Sequence, residues 1–181
     1  GCTFPSIPNV PDHPDLRTGA VYGTGKREEN LRGYFAAISA MDEQIGRLLD
    51  AVEEQGLADN TVILFTADNG MSMGQHGVWG KGNGTFPMNM YDSAVKVPFL
   101  ISWPGHIPAN TVCSEMISAC DLLPTILKLT GLSDKQPTGL PGRSFTELLE
   151  GRQLEHRDEV VIFDEYGPVR MIRTKEWKYV H

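Results

Sequence analysis

The stretch Phe65–Gly82 reads FTADNGMSMGQHGVWGKG, and its character changes abruptly after the first three residues. The apolar run TVILFTA, residues 61–67, leads into an acid and an amide, Asp68 and Asn69, and then into a glycine-rich loop that reaches Lys81. A run that is apolar on both faces predicts a central parallel strand covered by helices. Asp68 and Asn69 are therefore expected at the carboxyl end of a buried strand, where open α/β sheets bind their ligands.

The composition is that of a globular chain with an acidic balance. Of its 181 residues 40% are hydrophobic, and the formal net charge is −7. This charge argues against nucleic acid or an anionic membrane as a partner. It does not exclude a small anionic substrate, because one lysine and one metal ion reverse the field locally. No apolar run approaches the roughly 20 residues that span a bilayer, and the sequence assigns no compartment.

Periodicity along the chain predicts an α/β fold. Apolar residues recur at helical spacing and predict a long helix from Glu28 to Gly56. The run VPFLIS, residues 97–102, predicts a second strand. DLLPTILKLTG, residues 121–131, predicts a short helix that stops at its glycine.

Three regions follow from this pattern. Residues 1–27 are rich in proline and glycine and predict an irregular segment. Residues 28–155 predict a partial α/β domain. Residues 156–181 predict the beginning of a small antiparallel subdomain, in which EVVIFDEY and VRMIRTKEWKYV form two paired strands.

Asp68 and Asn69 offer two hard oxygen ligands, which favour Ca²⁺ or Mg²⁺ over zinc. The sequence Asp-Asn-Gly is also a common turn, in which both side chains cap their own backbone, so this alternative stays open.

Lys81 adds weight to the metal interpretation. Glycines allow the loop to fold back so that Lys81 faces the strand end, and an ammonium near a bound cation requires an anion between them. A tetrahedral sulfate or phosphate is such an anion.

The other polar candidates are weaker. His76 is a candidate general acid, but a role in holding the glycine-rich loop through a backbone hydrogen bond is the favoured interpretation. The three cysteines, Cys2, Cys113 and Cys120, have no metal-ligand spacing. We expect two of them to be buried and one to be exposed.

Four segments in order, FTADNG, GQHGVWGKG, MYDSAVKVPFLISWPG and DLLPTILKLTG, resemble the type I sulfatases of the alkaline phosphatase superfamily. The resemblance covers nearly all of residues 28–181. It implies an alkaline-phosphatase-like sandwich, in which helices flank a mixed sheet, and hydrolysis of sulfate monoesters. By this resemblance Asp68 and Asn69 are two calcium ligands and Lys81 binds the sulfate group. It also implies a small sulfate ester or a sulfated glycan as substrate, and a periplasmic, extracellular or lysosomal-type compartment.

The nucleophile of that family is a formylglycine made from cysteine or serine in a C-x-P-S-R pattern. In CTFPSI the proline comes one place late and the arginine is absent, so Cys2 is not this nucleophile. We therefore expect the formylglycine in a preceding part of a longer protein, and we expect this chain alone to be inactive. We also expect the isolated chain to associate, as a homo-oligomer or by exchange of its proline-rich arm or terminal strands.

Two other functions remain open from the sequence. The first is a phosphodiesterase or phosphonate hydrolase of the same superfamily. A metal ion and a lysine would bind the phosphate group in the same way, since sulfate and phosphate esters have similar shapes. A non-catalytic α/β binding module is the other alternative, in which Asp-Asn-Gly is only a turn.

Overall fold

The computed structural model describes residues 17–18, 27–152, 155–164 and 166–181. Cys2 and most of the proline-rich segment lie outside this range. The α-helices of the described part are α1 (Arg27–Glu54), α2 (Asp92–Val95), α3 (Leu122–Leu129) and α4 (Thr146–Leu149). Its strands are β1 (Arg17–Thr18), β2 (Ile63–Thr66), β3 (Ser72–Met73), β4 (Trp79–Gly80), β5 (Thr85–Phe86), β6 (Phe99–Ser102), β7 (Glu159–Phe163), β8 (Arg170–Thr174) and β9 (Lys178–Val180).

The helices and strands confirm the predicted α/β class, but the expectation of a parallel strand is wrong. Strand β2 pairs with β6 in antiparallel register, from Ile63 opposite Ser102 to Thr66 opposite Phe99. Every residue of β2 is partly covered. An apolar run on both faces therefore indicates here that both faces of the strand are covered. It does not predict the direction of the neighbouring strand.

Helix α1 confirms the predicted long helix, and most of its residues are exposed. None of its 28 residues is buried. Its apolar stripe includes Met41, which is 45% exposed, and Leu48, which is 67% exposed. Among the described helices, none has the length and apolar character that crossing a membrane requires. The helix therefore presents to solvent the face that the periodicity predicts to be packed.

The chain between β2 and β6 folds into a compact loop region. Strands β3 and β4 pair as a short hairpin, and the guanidinium of Arg27 lies 5.4 Å from the centre of the Trp79 ring. Gly74 and Gly80 adopt positive φ angles of 95° and 107°, which supports the prediction that glycines allow the loop to fold back. Strand β5 pairs with β1, so one short piece of the segment that was predicted to be irregular is a strand.

The carboxy-terminal sheet contains three antiparallel strands in the order β7-β8-β9. The predicted antiparallel unit is therefore correct in type, but the prediction of two strands is wrong. The run VRMIRTKEWKYV turns at residues 175–177, where the backbone N–H of Thr174 donates to the carbonyl of Trp177 over 2.8 Å. This turn divides it into β8 and β9.

A buried carboxylate joins α3 to the carboxy-terminal part of the chain. Asp121 is fully buried and accepts hydrogen bonds from the backbone N–H groups of Ser118 at 2.9 Å and Arg143 at 2.7 Å. The Arg157 side chain donates to both of its oxygens, one of them over 2.6 Å. Nε2 of His156 lies 3.3 Å away. Burial disfavours the charged form, but the bonds from Arg157, Arg143 and Ser118 outweigh it and lower the pKa of Asp121 to about 2.

The two described cysteines differ from expectation. Cys113 and Cys120 are both exposed free thiols, so the prediction that two of the three cysteines are buried is wrong. Cys113 lies outside the helices and strands, and Cys120 lies in a single 3-10 turn, Ala119–Asp121, that precedes α3.

We expect Asp121→Asn to lower the free energy of unfolding by at least about 2 kcal/mol at pH 7, the value that corresponds to lowering a pKa from 3.8 to about 2. Because the folded-state pKa is depressed, this stability is present above about pH 4 and is lost as the pH falls towards 2. Urea denaturation at pH 7 and pH 3 measures both effects. Asp134→Asn is the control, since its partner Lys135 and Asp134 itself are about two thirds exposed. An equal loss in both variants would contradict the prediction.

We expect the isolated chain to associate at high concentration, because the apolar stripe of α1 is open to solvent. Light scattering should give a mass above the 20.0 kDa of one chain. Replacing Met41 and Leu48 by glutamate removes apolar area from the stripe and should shift the distribution towards monomer. A monomer for the unmodified chain at all concentrations would refute this expectation.

Candidate functional site

Asp68 and Asn69 follow β2 directly, and the next residue fixes their position. The backbone N–H of Gly70 donates to the carbonyl of Ala94 over 2.9 Å. A Cβ on Gly70 would lie 2.2 Å from the carbonyl oxygen of Ser93. The φ of Gly70 is not in the left-handed region, so a turn is not the reason for glycine at this position. It is required because the strand end packs directly on the backbone of α2.

Asn69 is the residue that joins the strand end to the glycine-rich loop. Its Nδ2 donates to the carbonyl of Gly70 over 3.0 Å, which turns Oδ1 away from the backbone. That oxygen accepts a hydrogen bond of 3.3 Å from the Nζ atom of Lys81. The loop therefore folds back as predicted and places the ammonium beside the amide.

Asp68, Asn69 and Lys81 line one cavity of about 1420 Å³. Its wall extends across α2, the segment 113–119 and one face of the carboxy-terminal sheet. Asp68 and Lys81 are exposed and Asn69 is half-buried. The three side chains are therefore available to a ligand in a common space, which is what the hypothesis of a shared anion site requires.

The donor set fits part of a site for a hard cation. Asp68 supplies a carboxylate, of which one oxygen accepts the backbone N–H of Asn69 over 2.8 Å. Asn69 supplies its amide oxygen. Calcium takes roughly six to eight oxygen ligands, and within the described ranges no group of three or more His, Cys, Asp or Glu residues could hold a metal ion. These two residues would thus provide a minority of a calcium coordination shell.

His76 lies away from this cavity. Its ring stacks on that of Tyr91, with the ring centres 4.3 Å apart and an angle of 10° between the planes. Its backbone has a positive φ of 56°, and the side chain is exposed, while the cavity lining does not include it. This position agrees better with a role in holding the loop than with contact to a ligand near Lys81. The contact that His76 makes is a ring stack on Tyr91 and not the predicted backbone hydrogen bond.

A charged group on the opposite wall was missed by the sequence reasoning. Asp92 accepts hydrogen bonds from the side chains of Lys178 in β9 and Arg173 in β8. Nζ of Lys178 also donates to the carbonyl of Met90 over 2.8 Å. The hydrogen bond from Lys178 lowers the pKa of Asp92 against the effect of burial. No local pattern could predict these contacts, since the partners are more than 80 residues apart in sequence.

Comparisons with known proteins identify the family of the chain. Residues 6–132 match the Sulfatase family. The choline-sulfatase of Rhizobium meliloti (strain 1021) is 33% identical in an alignment of 164 residues that covers 85% of this chain and 30% of that protein. An N-acetylglucosamine-6-O-sulfatase of Bacteroides thetaiotaomicron is 31% identical in an alignment of 170 residues that covers 86% of this chain and 28% of that protein.

The solved structures give the same result for the fold. One of them, determined in complex with its substrate D-glucosamine-2-N,6-O-disulfate, superposes with a TM-score of 0.76 at 30% identity. The match covers 86% of this chain and 32% of that structure. The chain therefore spans about three tenths of the length of these relatives. The predicted alkaline-phosphatase-like fold is confirmed, and the chain belongs to the sulfatase family.

Proposed function

We propose that this chain is the part of a sulfatase that binds the sulfate group of a sulfate monoester. The observation that carries the proposal is the contact between Lys81 and Asn69, in a cavity that Asp68 also lines. Support comes from the membership of the sulfatase family and from relatives that act on sulfated small molecules and sulfated sugars. The substrate class is accordingly a sulfate ester of a small molecule or of a glycan.

Lys81 binds the sulfate oxygens in this proposal. An ammonium is a compact charge with three N–H donors, and the contact with Asn69 uses one of them. The remaining donors are available to the non-bridging oxygens of a substrate. As the S–O ester bond breaks, its electron pair moves to the departing oxygen, and the charge of the transferred group stays spread over the non-bridging oxygens; a fixed ammonium beside them stabilises this transition state.

Asp68 and Asn69 hold Ca²⁺ or Mg²⁺ in the proposal, together with ligands from the rest of the protein. Such an ion supplies a positive charge that polarises the sulfate oxygens. Because the ammonium of Lys81 reaches the oxygen of Asn69, lysine and ion would repel each other unless an anion lay between them. This electrostatic requirement favours an anionic ester over a neutral substrate.

The nucleophile and the group that protonates the leaving alcohol belong to the part of the sulfatase that this chain does not contain. We assign no catalytic role to His76, because its ring packs on Tyr91 outside the cavity lining. The isolated chain is accordingly inactive in this proposal, and it provides the background for assays of the full-length enzyme.

We expect Lys81→Ala in the full-length sulfatase that contains this chain to lower kcat/KM for 4-nitrophenyl sulfate by about 100-fold or more, the usual effect of removing one donor to a developing oxyanion. Lys135→Ala is the control. Lys135 is 68% exposed and paired only with its neighbour Asp134 among the described residues, so its removal should change the rate less than about twofold. Unchanged turnover in Lys81→Ala would remove the proposed role. Faster hydrolysis of bis(4-nitrophenyl) phosphate than of the sulfate would favour a phosphodiesterase.

We expect millimolar CaCl₂ to raise the melting temperature of the isolated chain modestly, because an ion that binds only the folded state stabilises it by mass action. Asp68→Ala removes the charged ligand and should abolish this shift. Asp134→Ala, which removes an exposed carboxylate outside the cavity, should retain it. Differential scanning fluorimetry measures all three proteins. An equal shift in Asp68→Ala would contradict metal binding by this pair.

A further inference from the structure

A buried amide contacts the loop that carries Lys81 and lies in the wall of the same cavity. Asn89 is 5% exposed and precedes α2. Its Nδ2 lies 3.4 Å from the carbonyl oxygen of Lys81, 3.3 Å from that of Gly82 and 3.0 Å from Oγ1 of Thr85. All three are acceptors, which places the NH₂ group of the amide on this side. One side chain therefore binds the carbonyl groups of the two peptide links that flank Gly82.

The backbone reinforces the same contact. The N–H of Asn89 donates to the carbonyl of Gly82 over 3.1 Å, and the N–H of Gly84 donates to the carbonyl of Lys81 over 2.9 Å. A Cβ on Gly82 would lie 3.1 Å from the carbonyl oxygen of Asn89, so the two segments approach closely. Hydrogen bonds to its carbonyl group and to that of Gly82 therefore fix the backbone of Lys81, while the side chain extends towards Asn69 at the cavity.

The segment that carries Asn89 is itself anchored at two further points. The carbonyl of Met90 accepts a hydrogen bond from Lys178, and Asp92 pairs with the same ammonium. The ring of Tyr91 is stacked on that of His76. The amide of Asn89 is therefore presented from a segment fixed against the carboxy-terminal sheet on one side and the glycine-rich loop on the other.

We propose that Asn89 is a positioning residue for Lys81, which fixes the backbone of the loop so that the ammonium meets the sulfate group. The proposal rests on the function proposed above. Displacement of a binding group by about 1 Å can cost a hundredfold in rate, and the loop has several glycines that would otherwise permit such movement. Asn89 needs no contact with the substrate for this role.

Asn89→Asp is the sharpest substitution, because it keeps the shape and replaces the donor group. A carboxylate oxygen would then face the two carbonyl oxygens and Oγ1 of Thr85, and the loop would be pushed away. Asn89→Ala is the second variant; it removes the donors without adding charge. If Asn89→Asp does not fold, Asn89→Ala provides the same comparison.

The test is a double-mutant cycle with Lys81→Ala in the full-length sulfatase. We expect Asn89→Asp to lower kcat/KM for 4-nitrophenyl sulfate by about tenfold to a hundredfold when Lys81 is present. In the Lys81→Ala background the same substitution should cost less than about twofold, since residues that act as one unit are not additive. Binding of inorganic sulfate, measured by calorimetry on the same proteins, should show the same coupling.

Thr125→Val is the matched control for a structural effect. Thr125 is also buried, and its hydroxyl likewise bonds to backbone groups, of Asp121 and Phe145, but it does not line the cavity. Its loss should change kcat/KM by the same factor in both backgrounds. An equal factor for Asn89→Asp in both backgrounds would overturn the inference. Full activity of Lys81→Ala alone would instead overturn the function on which it rests.

Discussion

The antiparallel pairing of β2 with β6 is the constraint on which the candidate site depends. It brings Thr66 opposite Phe99 and so closes the excursion of residues 67–98, which contains Asp68, Lys81 and Asn89. Closing a long loop costs conformational entropy. Contacts within residues 67–98 offset this cost: the β3–β4 hairpin, the hydrogen-bonded turns and the packing of Gly70 on α2. Lys81 meets Asn69 because both ends of the excursion are fixed on adjacent strands.

The local sequence was sufficient to predict several parts of this arrangement. Helical spacing predicted α1 to within a few residues, and the glycine at position 131 marks the end of α3, where φ is 73°. The glycines before Lys81 indicated a loop that folds back, and the loop does so. These features share one property: each depends on residue type and short spacing, which the sequence displays directly.

Other features depended on contacts between distant segments and were beyond this reasoning. The direction of the strand next to β2 and the hydrogen bonds of Arg157 to Asp121 each involve partners that are far apart in the sequence. Asn89 gives no local signal either, because an asparagine between two methionines is compatible with a surface turn. Only its burial against the carbonyl groups of residues 81 and 82 reveals a role.

The bond of Asp92 with Lys178 and Arg173 has a consequence for the evolution of such enzymes. Through it the carboxy-terminal sheet forms a wall of the cavity while remaining separate from the strand end that bears Asp68 and Asn69. Insertions or exchanges in that sheet that keep Lys178 and Arg173 would reshape the cavity wall and leave the anchor of the segment that carries Asn89 in place. The part of the fold that holds Asp68, Asn69 and Lys81 can in this way be combined with cavity walls of different shape.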